Sequence, residues 1–195
     1  MSARLVRLAP AAVLLALAAV LPVADLLFAR QEREPRKVAF LVGVTKYDHD
    51  FPDLQFPERD VEELGKALKA GGFEVVILTG SGKGADRATK KNIEARLDAL
   101  LNGDGNEAKK IKKGDLVLVA LSGHGQQVKE KGKDTDDPYF VPADGMSNKP
   151  NTLVSISHLV DDVLAPHGAR NLLLVDACRD IADPNKGKGV EGQDI

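Results

Sequence analysis

Leu116-Val117-Leu118-Val119-Ala120-Leu121-Ser122-Gly123-His124-Gly125 is the stretch that decides how this chain is read. Six apolar residues in a row, rich in Leu and Val, suit a strand buried on both faces. The run ends in a His flanked by glycines. A second apolar run, Leu172-Leu173-Leu174-Val175, ends in Asp176-Ala177-Cys178-Arg179. In open α/β sheets, ligands bind beyond the carboxyl ends of the strands. Two such ends bring a His and a Cys together although about 50 residues of sequence separate them. A thiolate nucleophile and its base require that meeting. Cys178 is the only cysteine in the chain, so no intrachain disulfide and no multi-cysteine zinc site is available.

Outward from these two runs, strands alternate with helices. Residues 37–44 (KVAFLVGV) and 73–78 (FEVVIL) read as further buried strands, and 115–121 and 171–175 as the third and fourth. Residues 57–70 read as a helix. Pro57 suits its first turn, Glu58 and Asp60 suit its positive end, and Gly71-Gly72 stop it. Val61, Leu64 and Leu68 give it one apolar stripe. Ile93, Leu97, Leu100 and Leu101 mark a second helix. Residues 157–164 are expected to form a third, with Leu159, Val160, Val163 and Leu164 inward. Residues 126–138 read as a hydrophilic hairpin arm, and 139–142 (YFVP) as a short extended segment. This alternation implies an α/β fold with a mainly parallel sheet covered on both faces.

Composition narrows the function. A net charge of -2 gives no basic excess of the kind that binds nucleic acid. Gly80-Ser81-Gly82-Lys83 looks like a phosphate loop, but Ile77 and Gly84 stand where that loop needs Gly and Ser or Thr. It reads as a flexible connection. The histidines His49, His124, His158 and His167 show no paired spacing for a metal. Residues 1–29 form a separate object. Arg4 and Arg7 precede an apolar run, and residues 8–28 are about long enough for a signal peptide or a membrane anchor. Export or membrane attachment is therefore expected, with the domain outside the cytoplasm. Residues 30–36 read as a charged linker, 37–183 as the domain and 184–195 as a flexible tail.

SGHG followed by DACR resembles the catalytic pair of the caspase-like cysteine peptidases of clan CD, nearer to metacaspases and paracaspases than to animal caspases. The likeness extends to KVAFLVGV, to Leu54-Gln55-Phe56-Pro57-Glu58-Arg59-Asp60 and to Tyr139-Phe140-Val141-Pro142-Ala143-Asp144. It implies a caspase-like three-layer sandwich. It also implies a cysteine endopeptidase in which Cys178 attacks a peptide carbonyl and His124 protonates the leaving amine. The backbone N–H groups of Gly125 and Cys178 are then expected to bind the oxyanion. Asp60, Ser122 and Asp176 fall where metacaspases line the pocket for the residue before the cut, which points to substrates with Arg or Lys there. On its own, Asp60 reads merely as a carboxylate at a helix N-terminus.

Two departures from the family pattern carry expectations. Of the carboxylates in calcium-activated metacaspases, only Asp137 has a match; Ser155, Ile156 and Asn185 stand at the others. One carboxylate is a poor calcium site, so neither a metal nor a cofactor is expected. The family's small-subunit strands are also not reached by this sequence, which covers the large-subunit region. A separate small-subunit chain or self-association is the expected remedy. A non-catalytic binding or scaffold protein of the same fold is the alternative.

Overall fold

The computed structural model describes residues 33–128, 136–147, 149–177 and 180–181. The chain divides into two units, Met1–Glu34 and Pro35–Ile195, and every element below belongs to the second. The expected leader at 1–29, residues 30–32 of the linker, residues 129–135 of the arm, Cys178 and the tail lie outside the described residues.

The first strand, β1 (Lys37–Gly43), is followed by helix α1 (Pro57–Ala70) and strand β2 (Glu74–Thr79). Helix α2 (Lys90–Asn102) leads to β3 (Leu116–Gly123), and β7 (Arg170–Ala177) completes a four-stranded parallel sheet of order β2-β1-β3-β7. Between β3 and β7 run three short strands, β4 (Gly125–Val128), β5 (Asp137–Phe140) and β6 (Val154–Ser155), and then helix α3 (Ile156–His158). With β8 (Asp180–Ile181) these strands form a second sheet of order β6-β5-β4-β8. The fold is α/β and caspase-like, as expected.

Alternation along each buried strand sends side chains to opposite layers. Val38, Phe40 and Val42 of β1 meet Val117, Val119 and Leu121 of β3 on the face covered by Ile93, Leu97 and Leu101 of α2. Ala39, Leu41, Leu118 and Ala120 face Val61, Leu64 and Leu68 of α1. The α1 stripe is the one the sequence indicates. Gly65 lies on it because a Cβ there would come within 2.6 Å of Ile77 Cδ1, so helix and sheet meet at backbone distance. Thr89 caps α2 by accepting from Asn92 N at 3.3 Å, and Gly103 closes the helix at φ 78°.

The strands run further than their apolar runs. β3 continues through Ser122-Gly123 and β7 through Asp176-Ala177, so half of each motif is itself strand. The two ends of the arm pair as the expected hairpin, but the arm is not hydrophilic throughout. Gln126 is buried and lies in β4, antiparallel to β5, because an amide side chain bonded to Ser147 Oγ at 3.2 Å is satisfied without water. The third helix also departs from the expected pattern. Its α-turn passes into a π-helical stretch, Leu159–Leu164, and then a short 3-10 turn. With i to i+5 winding, Leu159 and Leu164 align and are buried, whereas Val160 is turned outward and exposed.

On the α1 face, α1 packs over β1, β2 and part of β3. Leu172 and Leu174 of β7, in register with Leu118 and Ala120, stand exposed there. Among the described residues no strand lies on the outer side of β7.

Candidate active site

Both motifs come to the carboxyl end of the parallel sheet. The register across three strands sets Gly43 beside Ser122 and Ser122 beside Asp176. Ser122 Oγ lies 3.4 Å from Asp176 Oδ2, at the long limit for a hydrogen bond. Register partners in parallel strands point to one face, and Gly43 identifies it. A Cβ on Gly43 would strike Pro57 O and Val61 Cγ2, both on α1. Ser122 and Asp176 are therefore on the α1 face, above the exposed Leu172 and Leu174.

Asp60 sits on the first turn of α1, over the end of β1. Its side chain is 52% exposed, and its carboxylate pairs with Arg59 at 3.9 Å. Successive helix residues rotate by about 100°, so Glu58 and Asp60 flank the buried stripe on opposite sides. Glu58 is directed toward the β2 side, where it accepts from Ser81 N at 3.2 Å, from Ser81 Oγ, and from Thr45 N at 3.1 Å. The opposite flank, which carries Asp60, is turned toward β3 and β7. The Gly80-Ser81-Gly82-Lys83 segment is thus held by a carboxylate of its own chain, the reverse of a phosphate cradle.

His124 follows β3 directly and is buried to 9% exposure. The loop after β1 encloses it. Tyr47 Oη accepts from His124 N at 2.8 Å and donates to Val44 O at 3.1 Å. The imidazole lies 5.0 Å from the Tyr47 ring and 5.6 Å from the Phe51 ring. Its Nε2 is 2.9 Å from the Pro52 carbonyl oxygen. A carbonyl only accepts, so Nε2 carries a proton; in the neutral ring Nδ1 then keeps its lone pair. Gly123 has φ 154°, and a Cβ there would come within 2.8 Å of Tyr47 Oη. The first glycine of the motif is required by that close approach.

Gly125 begins β4. Val141 N donates to His124 O at 2.9 Å, which makes Gly125 and Phe140 a non-hydrogen-bonded pair of the antiparallel ladder. The Gly125 N–H consequently points away from β5, to the side on which β8 runs. Ala177 is the partner of Gly123, and Asp180 the partner of Gln126. The two described residues that bracket Cys178-Arg179 thus stand beside the two that bracket His124-Gly125. Cys178 itself lies outside the described residues.

Asp137, the one carboxylate matching the calcium-activated pattern, accepts from Ser155 Oγ at 3.1 Å and from Ser157 Oγ. Two hydroxyl protons occupy its oxygens.

The sequence profile of the caspase domain matches residues 36–194. The chain belongs to the caspase family. It is also similar to Metacaspase-7 of Arabidopsis thaliana, with 29% identity over 150 residues, or 73% of this chain. That stretch is 34% of the plant protein, so the chain spans about a third of the relative it matches. Family membership makes it a caspase-family peptidase domain of metacaspase-like type.

Sequence reasoning did not assign Tyr47, Phe51 or Pro52. The one available signal was a pair of aromatic residues four apart in an otherwise polar loop. Burial pushes the Tyr47 hydroxyl up to about 12; the His124 amide works against this, and the carboxylates of Glu58 and Asp53 add to it. Because the folded value is raised, the folded state holds the proton longer. The resulting stability is complete below pH 10 and is lost as pH rises toward 12. Allowing for the partial exposure of the ring, wild type should lose about 1–2 kcal/mol relative to Tyr47→Phe between pH 9 and 11.5. Urea unfolding of both proteins across that range measures the difference, and parallel pH dependences would refute it.

Proposed function

We propose that this caspase domain is a cysteine endopeptidase that cleaves after Arg or Lys, with Cys178 as nucleophile and His124 as acid and base. The observation that carries this reading is the register of Gly123 with Ala177 and of Gln126 with Asp180, around a His whose Nε2 is held by the Pro52 carbonyl and whose Nδ1 meets no partner among the described residues. Cys178 follows Ala177 directly in the chain. His124 Nδ1 takes the proton of the Cys178 thiol, the thiolate adds to the substrate carbonyl, and the oxyanion is held by the N–H groups of Gly125 and Cys178. His124 delivers a proton from Nδ1 to the departing amine, leaving a thioester. It then takes a proton from the water that hydrolyses the thioester. The Pro52 carbonyl stabilises the imidazolium that exists before the amine is protonated and again after the water has given up its proton.

Specificity for a basic residue rests on Ser122, Asp176 and the Asp60 flank of α1, all at the same end of the α1 face. Two carboxylates and a hydroxyl suit a guanidinium or an ammonium. The test is turnover of peptide reporters ending in Arg, Lys or Asp by wild type and Cys178→Ala. Basic-only turnover that disappears with the sulfur supports the reading. Turnover that survives in Cys178→Ala refutes it.

A non-catalytic binding role is the second reading, favoured by the outer side of β7, on which no strand lies among the described residues. An edge that carries exposed Leu172, Leu174 and Val175 invites another strand. We read it as the place for a small-subunit chain or a second copy. Light scattering of the chain should give a mass above the monomer, and Leu174→Lys should lower it. A monomer with full turnover would contradict this. Residues 1–29 we read as an export signal or membrane anchor, which a protease-accessibility assay on intact cells would test.

A further inference from the structure

We infer that Tyr47 is the positioning residue of His124, fixing its main chain through the hydroxyl and its imidazole through the ring. This inference rests on the reading of His124 as the acid and base of the site. Tyr47 Oη spans two strand ends: it donates to Val44 O, at the end of β1, and accepts from His124 N, just past the end of β3. One hydroxyl therefore joins the two loops that meet at the site. Its protonation also matters. A phenol with a pKa raised to about 12 stays neutral across the working range of a peptidase, so it both donates and accepts at every relevant pH.

The ring contributes separately. Tyr47 and Phe51, 5.8 Å apart, lie 5.0 and 5.6 Å from the imidazole. They restrict its rotation about the Cα–Cβ and Cβ–Cγ bonds. Without that restriction, Nε2 can leave the Pro52 carbonyl, and the Nδ1–H tautomer then becomes available. That tautomer has its proton on the nitrogen that must act as base. Gly123 is coupled to the same feature, since Tyr47 Oη occupies the space a side chain there would need. The triplet Tyr47, Gly123 and His124 thus forms one device: a glycine that admits the hydroxyl, and a hydroxyl that holds the histidine.

The experiment measures tautomer and turnover together. Nitrogen spectra of ¹⁵N-His protein, with His124 assigned by the signal lost in His124→Ala, give the tautomer at neutral pH. In wild type the Nε2–H form should dominate. In folded Tyr47→Leu, which removes both the ring and the hydroxyl, a larger share of the Nδ1–H form should appear. The kcat on an Arg reporter should fall about 10-fold, with KM within about twofold, as expected when the group lost acts only at the chemical step. An unchanged tautomer ratio in folded Tyr47→Leu overturns the inference even if activity changes. A shifted tautomer in a protein without peptidase activity leaves the positioning role standing and sinks the catalytic reading instead. Should Tyr47→Leu fail to fold, the wild-type His124 amide decides. Hydrogen exchange slowed at least about 100-fold relative to an open loop supports the bond to Tyr47, and unprotected exchange contradicts it.

Discussion

Cys178→Ala and His124→Ala should each lower peptide hydrolysis by about 10⁴-fold or more, to the limit of detection. The two groups act as one unit. The sulfur supplies the bond to the acyl group, and the imidazole supplies and removes the proton at both stages. Removing either leaves nothing for the other to do, so the double variant should be no worse than either single one. The folded state should hardly notice His124→Ala, apart from the small cavity between Tyr47 and Phe51. Thermal melts beside the kinetics separate the effects: a large fall in turnover with an intact melt supports the assignment. Additive losses in the double variant would show two independent contributions and contradict the shared mechanism.

The second large effect concerns Asp176. Its carboxylate lies two residues before Cys178 in the chain and 3.4 Å from Ser122 Oγ, on the α1 face. A substrate Arg seated there leaves water and needs a partner. Loss of one partner of a desolvated charge costs roughly 3–5 kcal/mol. Asp176→Ala should therefore lower kcat/KM for Arg substrates by about 10²–10³-fold. Arg should serve at least as well as Lys, because a guanidinium pairs with a carboxylate through two bonds at once. Substrates with Asp before the cut should be rejected in wild type by like charge. A peptide library varied only at that residue measures all three, and a preference for Asp or for an apolar residue would overturn the pocket while leaving the Cys–His pair intact.

Much of the fold was legible because buried parallel strands write themselves as continuous apolar runs. The four strands, their order of alternation and the limits of α1 were all readable from runs, prolines and glycines. The ends of β3 and β7 were not, because Ser122-Gly123 and Asp176-Ala177 lack apolar character yet still pair. The π-helical turn that exposes Val160 follows from packing rather than periodicity. Gln126 looked solvated because an amide carries no sign of the hydroxyl that will meet it. In the site, the Ser122 and Asp176 pairing follows from two strand ends in register. The enclosure of His124 does not. Its contacts come from a loop some 70 residues upstream, and one of them is the carbonyl of Pro52, which no side-chain pattern announces.

The central claim is that Cys178 forms a covalent bond with the acyl side of a peptide whose last residue is basic. A peptide ending in Arg and carrying an acyloxymethyl ketone reports this directly, since such an electrophile traps the nucleophile that would have attacked the scissile carbonyl. Peptide mapping by mass spectrometry should find a single adduct on Cys178 in wild type. The adduct should form much more slowly in Asp176→Ala and be absent when the peptide ends in Asp. Labelling of another residue, or labelling of Cys178 with equal speed by the Arg and Asp reagents, would contradict the account.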